Sequence, residues 1–171
     1  MNLVLSDKKV IISSYEITFS RTKELIQDIL ELDRTKGDIY LIINSCGGHK
    51  GAGPLFYKSI KNSLKNKLIT VATGEIASAA TLFYMAGTER YAHKGSYFYV
   101  HAGASAEASF PYAESDSVFK SIRLERDDWA DMYAKNSNIS KQKWIKYIKD
   151  SKVFDTKEML KFGIAHQLID D

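Results

Sequence analysis

The chain has a single cysteine among 171 residues, Cys46, so an intramolecular disulfide and a cysteine-based zinc centre are both excluded. It has only two prolines, and no linker, internal repeat or low-complexity tract interrupts it. No apolar run approaches the roughly 20 residues that span a bilayer. The start, Met1-Asn2-Leu3-Val4-Leu5-Ser6-Asp7, lacks the basic head and long apolar stretch of a signal peptide. These absences predict a soluble cytoplasmic protein with no membrane partner. Charge of one sign is also scarce: the net charge is +3, and the lysines from Lys58 to Lys67 are spaced as a solvated helix face would space them. Nucleic acid is therefore not an expected partner. No phosphate-loop spacing is present, and no metal or cofactor is expected.

What is there is ordinary globular material. Hydrophobic residues make up 44% and charged residues 26%, enough for one domain, 1–171, to bury a substantial core. Ile39-Tyr40-Leu41-Ile42-Ile43 is apolar throughout, as a strand covered on both faces of a parallel sheet must be. Leu68 to Ala72 reads the same way. Helical spacing of apolar residues appears from Arg21 to Asp33, and again at Ala52, Leu55, Phe56, Ile60 and Leu64. After a turn at Gly74 and Glu75, Ala77 to Ala86 reads as a buried helix closed by Gly87. Val10–Ser14, Arg90–Ala92 and Tyr97–His101 read as further strands. Such alternation calls for an α/β fold with a parallel β core and right-handed βα crossovers. From 102 to 113 the chain has no period and reads as a loop or loose hairpin. A long helix from about Glu114 to Asn136 follows, with Val118, Phe119, Ile122, Trp129, Met132 and Tyr133 along one side. Short helices near Lys141–Ile148 and Thr156–Phe162 end the chain.

Three places carry chemistry. Ser78 opens the Ala77–Ala86 helix, where unpaired N–H groups and the helix dipole favour developing negative charge. From position alone the helix cap is the favoured reading, and only the neighbouring glycine turn shifts it. Gly47 and Gly48 follow a buried strand at the sheet edge where ligands bind in α/β folds. With no side chains they admit a substrate carbonyl, so the N–H groups of Gly48 and Ala79 form a coherent oxyanion hole. A plain tight turn is the other reading. His101 ends a strand pointing at the same edge and is the candidate general base, with His49 the runner-up. Asp150, Asp155 and Asp116 are the candidate acids that would fix the histidine tautomer. Cys46, read as a small buried residue beside a turn, is expected to be inert.

These segments, in order, resemble the proteolytic subunit of the Clp protease family from about Lys9 to Asp170. Gly37-Asp38-Ile39-Tyr40-Leu41-Ile42-Ile43-Asn44-Ser45-Cys46-Gly47-Gly48 is similar to that family's strand and Ser-Pro-Gly-Gly turn, with Cys46 in place of the proline. Gly74-Glu75-Ile76-Ala77-Ser78-Ala79-Ala80 resembles its nucleophile motif, and Tyr99-Val100-His101 its histidine segment. Glu158-Met159-Leu160-Lys161-Phe162-Gly163-Ile164 resembles its closing Glu-Ala-x-x-Tyr-Gly-Leu. The resemblance implies a crotonase-like, ClpP-type α/β fold with a protruding long helix. It implies a serine endopeptidase of peptides and unfolded polypeptides, working inside a chamber of stacked heptameric rings. Ser78 is then nucleophile, His101 base and Asp150 acid. Counting back from Gly163 puts Ser151 at the acid's place; counting forward from His101 puts Asp150 there. An AAA+ unfoldase is the implied partner, although few residues precede the first strand to serve as an axial segment. Two further readings remain: a catalytically weak or inactive ring subunit, and a crotonase-type acyl-CoA enzyme sharing the oxyanion N–H pair.

Overall fold

A computed structural model describes residues 9–102 and 115–170. Its centre is a sheet in the order β1-β2-β3-β4-β7, formed by Lys9–Ser13, Ile39–Ser45, Leu68–Ala77, Glu89–His93 and Gln167–Ile169. All four of these pairings are parallel. The continuous apolar runs of β2 and β3 account for this, because Ile39, Leu41, Ile43, Leu68 and Val71 are all covered. Crossovers are made by α1 (Phe19–Leu32), α2 (Ala52–Ile60) and α3 (Ala79–Met85), the last buried along its whole length. Thr18 caps α1 by accepting from the Arg21 N–H, which is why this helix starts before Arg21.

Gly74 and Glu75 do not turn the chain; β3 continues to Ala77. Ile43 pairs with Ala72 and Ser45 with Ile76, so β3 carries its extra residues as a bulge. Asn44 fills the bulge, its side-chain oxygen accepting from the Glu75 N–H at 3.0 Å. The extension gives β3 a second partner, β5 (Tyr97–Tyr99), in register from Glu75↔Tyr97 to Ala77↔Tyr99. A short strand not foreseen from the sequence, β6 (Val153–Asp155), then pairs antiparallel with β5.

The long helix α4 (Ser115–Ala134) divides along its length. Ala130, Met132 and Tyr133 are buried near its end, whereas Phe119 and Leu124 remain exposed. The expected loop at 102–113 lies almost wholly outside the described residues. Helices α5 (Lys141–Lys149) and α6 (Thr156–Lys161) close the body around Trp144 and Phe154. Asp155 caps α6 in a reciprocal box with Glu158, so this candidate acid has a structural duty. Asp155→Ala is expected to lower stability by about 1 kcal/mol, read as a shifted urea midpoint.

Arg90 is the buried clasp of this region. Its guanidinium donates to the carbonyls of Gly87, Asn136, Gly163 and Ile164, tying β4 to the segments that follow α4 and α6. Arg90→Met strands these acceptors. It should cost about 3–5 kcal/mol, a fall in Tm of roughly 8–15 °C for a chain of this size.

Candidate active site

Ser78 falls between β3 and α3, just outside the helix that the sequence placed it in. Its backbone has φ 52° and ψ −124°, a left-handed conformation that a residue with a side chain adopts only when its surroundings enforce it. The enforcement is visible. Its N–H donates to the Tyr99 carbonyl at 3.1 Å, and its carbonyl accepts from the Thr81 N–H at 3.0 Å and from the Thr81 hydroxyl. Tyr133 Oη lies 2.5 Å from that hydroxyl inside the core. The Ser78 side chain makes no capping bond, which removes the helix-cap reading. It is a half-buried hydroxyl held at a sharp strand-to-helix elbow.

The glycine turn lies against this elbow. A Cβ on Gly47 would stand 2.6 Å from Ser78 Cβ, 2.7 Å from the Ala77 carbonyl and 3.0 Å from the Ala79 nitrogen. Ser45 shapes the turn, its hydroxyl accepting from the Gly47 N–H and donating to the Tyr15 carbonyl. Ile17 pins it from the other side, donating to Gly47 and accepting from the His49 N–H. Gly47 and Gly48 have φ of 98° and 149°, so both need glycine. Among the described residues the Gly48 N–H has no acceptor, and Ala79, first residue of α3, has none within its helix. The plain-turn reading leaves this close approach without a purpose.

His101 follows β5 by two residues and is half-buried. Because Ala77 pairs with Tyr99 and the Ser78 N–H bonds the Tyr99 carbonyl, the histidine emerges beside the serine. The Tyr99 ring stacks on its imidazole, with centroids 5.1 Å apart and planes at 19°. No hydrogen bond joins Ser78 Oγ to His101 among the described residues.

The acids are arranged differently. Asp150 is the exposed C-cap of α5, and its carboxylate bonds the Lys146 ammonium one turn earlier. Among the described residues no carboxylate bonds His101. Ser151, which has φ 53°, leads into Lys152, whose carbonyl accepts from the Val100 N–H at 3.1 Å. The 150–152 segment therefore runs alongside the histidine, while the Asp150 side chain is engaged elsewhere. Asp116 lies in the first turn of α4. His49 packs at a tilt against the Phe19 ring and accepts from the Gly51 N–H. Cys46 is exposed, correcting its reading as a buried residue. Thr81 and Tyr133, which hold the Ser78 carbonyl, were missed in the sequence; a threonine three residues after the serine was the available signal.

A strained serine at the C-terminal edge of a parallel sheet, with a glycine turn against it and a histidine on the adjacent strand's extension, defines an α/β protein organised around a strand-to-helix elbow. The chain belongs to the Clp protease family, whose model matches residues 1–171. It is 26% identical over 145 residues to the ATP-dependent Clp protease proteolytic subunit of Deinococcus radiodurans, covering 83% of this chain and 70% of that protein. It is 26% identical over 169 residues to proteolytic subunit 4 of Streptomyces avermitilis, covering 96% and 74%. In fold it is similar to a point mutant of ClpP1 from Listeria monocytogenes, with TM-score 0.83, 24% identity, and coverage of 96% and 93%. The fold is thus of the ClpP type. No described helix is long and apolar enough to cross a membrane.

Proposed function

We propose that the chain is a serine endopeptidase acting on peptides and unfolded polypeptides. The observation that carries this reading is the left-handed Ser78, which projects a hydroxyl that caps nothing beside the Gly47–Gly48 turn. His101 takes the Ser78 proton as the hydroxyl attacks the scissile carbonyl. The N–H groups of Gly48 and Ala79 hold the oxyanion, and α3 adds the positive end of its dipole. His101 then protonates the leaving amine, and water clears the acyl-enzyme by the same base. Asp150 is the proposed acid. Its present bond to Lys146 is a solvent-exposed pair one helical turn apart, of the kind that contributes little to stability, so releasing the carboxylate towards His101 is energetically small. The exposed Phe119 and Leu124 on α4 support stacked heptameric rings with this helix at the ring–ring contact. An AAA+ unfoldase would feed such a chamber, in the cytoplasm.

The Asp150–Lys146 pair favours a second reading, a ring subunit of weak activity whose histidine lacks a carboxylate. Hydrolysis of an unstructured fluorogenic peptide by Asp150→Asn separates the two. With Asp150 as acid, kcat should fall about 10³- to 10⁴-fold; unchanged low turnover would leave the second reading. An acyl-CoA enzyme would bind acyl-CoA thioesters without cleaving the peptide. Sedimentation of the wild-type chain tests the rings, since a monomer at micromolar concentration is incompatible with a chamber.

A further inference from the structure

A polar cleft of about 580 Å³ opens beside the start of β4, away from Ser78. Lys61, Arg90, Lys135 and His166 line it, with amides and hydroxyls such as Asn62 and Thr88 between them. Among the described residues, neither a carboxylate nor an apolar side chain is part of its wall. Lys61 was expected on a solvated face; it is instead tucked in at the C-cap of α2, donating to the carbonyls of Met85 and Gly87.

Two cations meet there on one oxygen. The Gly87 carbonyl accepts from Lys61 Nζ at 3.1 Å and from Arg90 Nη1 at 3.2 Å. Arg90 is 3% exposed, and its other bonds go to neutral carbonyls and to His166. His166 packs both ring nitrogens against Arg90, with Nε2 2.8 Å from Arg90 Nη2 and Nδ1 3.3 Å from the Arg90 backbone nitrogen. Burial and then the Arg90 charge push the Lys61 ammonium down to about 8. Glu89, next to Arg90 in the chain, is engaged by Lys67 and the Tyr91 hydroxyl. The cleft is thus a positive concavity without a counter-charge in its wall, which is costly unless an anion supplies one.

We propose that this cleft binds a phosphate group, with Lys61 and Arg90 as its two cationic contacts. Each keeps an N–H beyond those given to the carbonyls: one on the Lys61 ammonium and one on Arg90 Nη1. A dianion matches two positive charges where a carboxylate matches one. The volume exceeds what a lone phosphate fills and is within the range of small-molecule sites. Its amide and hydroxyl lining suits the hydroxyl groups of a sugar phosphate rather than an apolar body. Free phosphate and a sugar phosphate share this chemistry.

Isothermal titration calorimetry on the full chain, at fixed ionic strength in chloride buffer, tests this with inorganic phosphate, glucose 6-phosphate and glucose. Both phosphates should bind saturably and glucose should not. Tighter binding of glucose 6-phosphate assigns the site to an ester, and equal binding assigns it to the free ion. Lys61→Met should weaken binding about 10- to 100-fold, as loss of a charge-assisted contact does. Lys58→Ala, on the same helix but paired with Asp128, should leave it unchanged. If Lys61→Met does not fold, Lys135→Ala at the cleft wall serves instead, with a weakening of about 3-fold or more. No saturable heat from either phosphate at millimolar concentration, or wild-type affinity in the folded variants, overturns the proposal.

Discussion

Replacing Ser78 by alanine is expected to reduce peptide hydrolysis by about 10³-fold or more while leaving the fold intact. The two halves of this expectation have separate causes. The hydroxyl is the attacking group in the proposed mechanism, so nothing else at the elbow takes over its chemistry. Its oxygen makes no capping bond, so its removal leaves no buried partner unsatisfied. Alanine meets the same left-handed backbone strain at φ 52° that serine already bears. The bonds that enforce the elbow run through the Ser78 N–H and carbonyl, to Tyr99 and Thr81, and survive the substitution. Tm should move by no more than about 2 °C. Turnover of a fluorogenic peptide, with a thermal melt on the same preparation, checks both halves. A variant that retains wild-type turnover places the nucleophile elsewhere.

Gly47→Ala is expected to damage the site and the fold together. The added methyl group must find room 2.6 Å from Ser78 Cβ and 2.7 Å from the Ala77 carbonyl oxygen, both closer than non-bonded heavy atoms pack. Its φ of 98° adds strain for any residue with a side chain. Either the turn or the elbow must retreat, and the proposed oxyanion N–H groups of Gly48 and Ala79 separate. A displacement of that order should lower kcat/KM about 10²-fold, with a stability loss of roughly 2–4 kcal/mol. Gly48→Ala makes a useful contrast. Its methyl group would press on the Ile17 backbone, with Ile17 N at 2.7 Å, so stability rather than chemistry should suffer first. Kinetics and urea unfolding of the two variants side by side distinguish a turn shaped for Ser78 from one that merely joins β2 to α2.

The central strands were legible because burial on both faces leaves a continuous apolar signature, as in Ile39–Ile43 and Leu68–Ala72. The end of β3 was not. Thr73-Gly74-Glu75 has the composition of a turn, and only the Asn44 side chain and the pairing with β5 make it a bulged strand. Ser78 was found by its company, yet its decisive property, the left-handed backbone, is imposed by Tyr99, Thr81 and Gly47 from three different elements. No local pattern encodes that. The acid was the least legible part, because Asp150 and Ser151 differ by one residue. How α5 ends decides where each of them points, and Lys146 at the preceding turn holds the Asp150 carboxylate at the surface. Lys61 shows the reverse case, a lysine in a run of solvated lysines whose neighbours Met85 and Gly87 pull it inward.

The proposed chemistry requires Ser78 to be a nucleophile activated in place. Labelling the purified chain with a fluorophosphonate, followed by peptide mapping with mass spectrometry, tests it most directly. One adduct is expected, on the peptide carrying Ser78, absent in Ser78→Ala and strongly slowed in His101→Ala. An adduct on another residue, or equal labelling of wild type and Ser78→Ala, contradicts it.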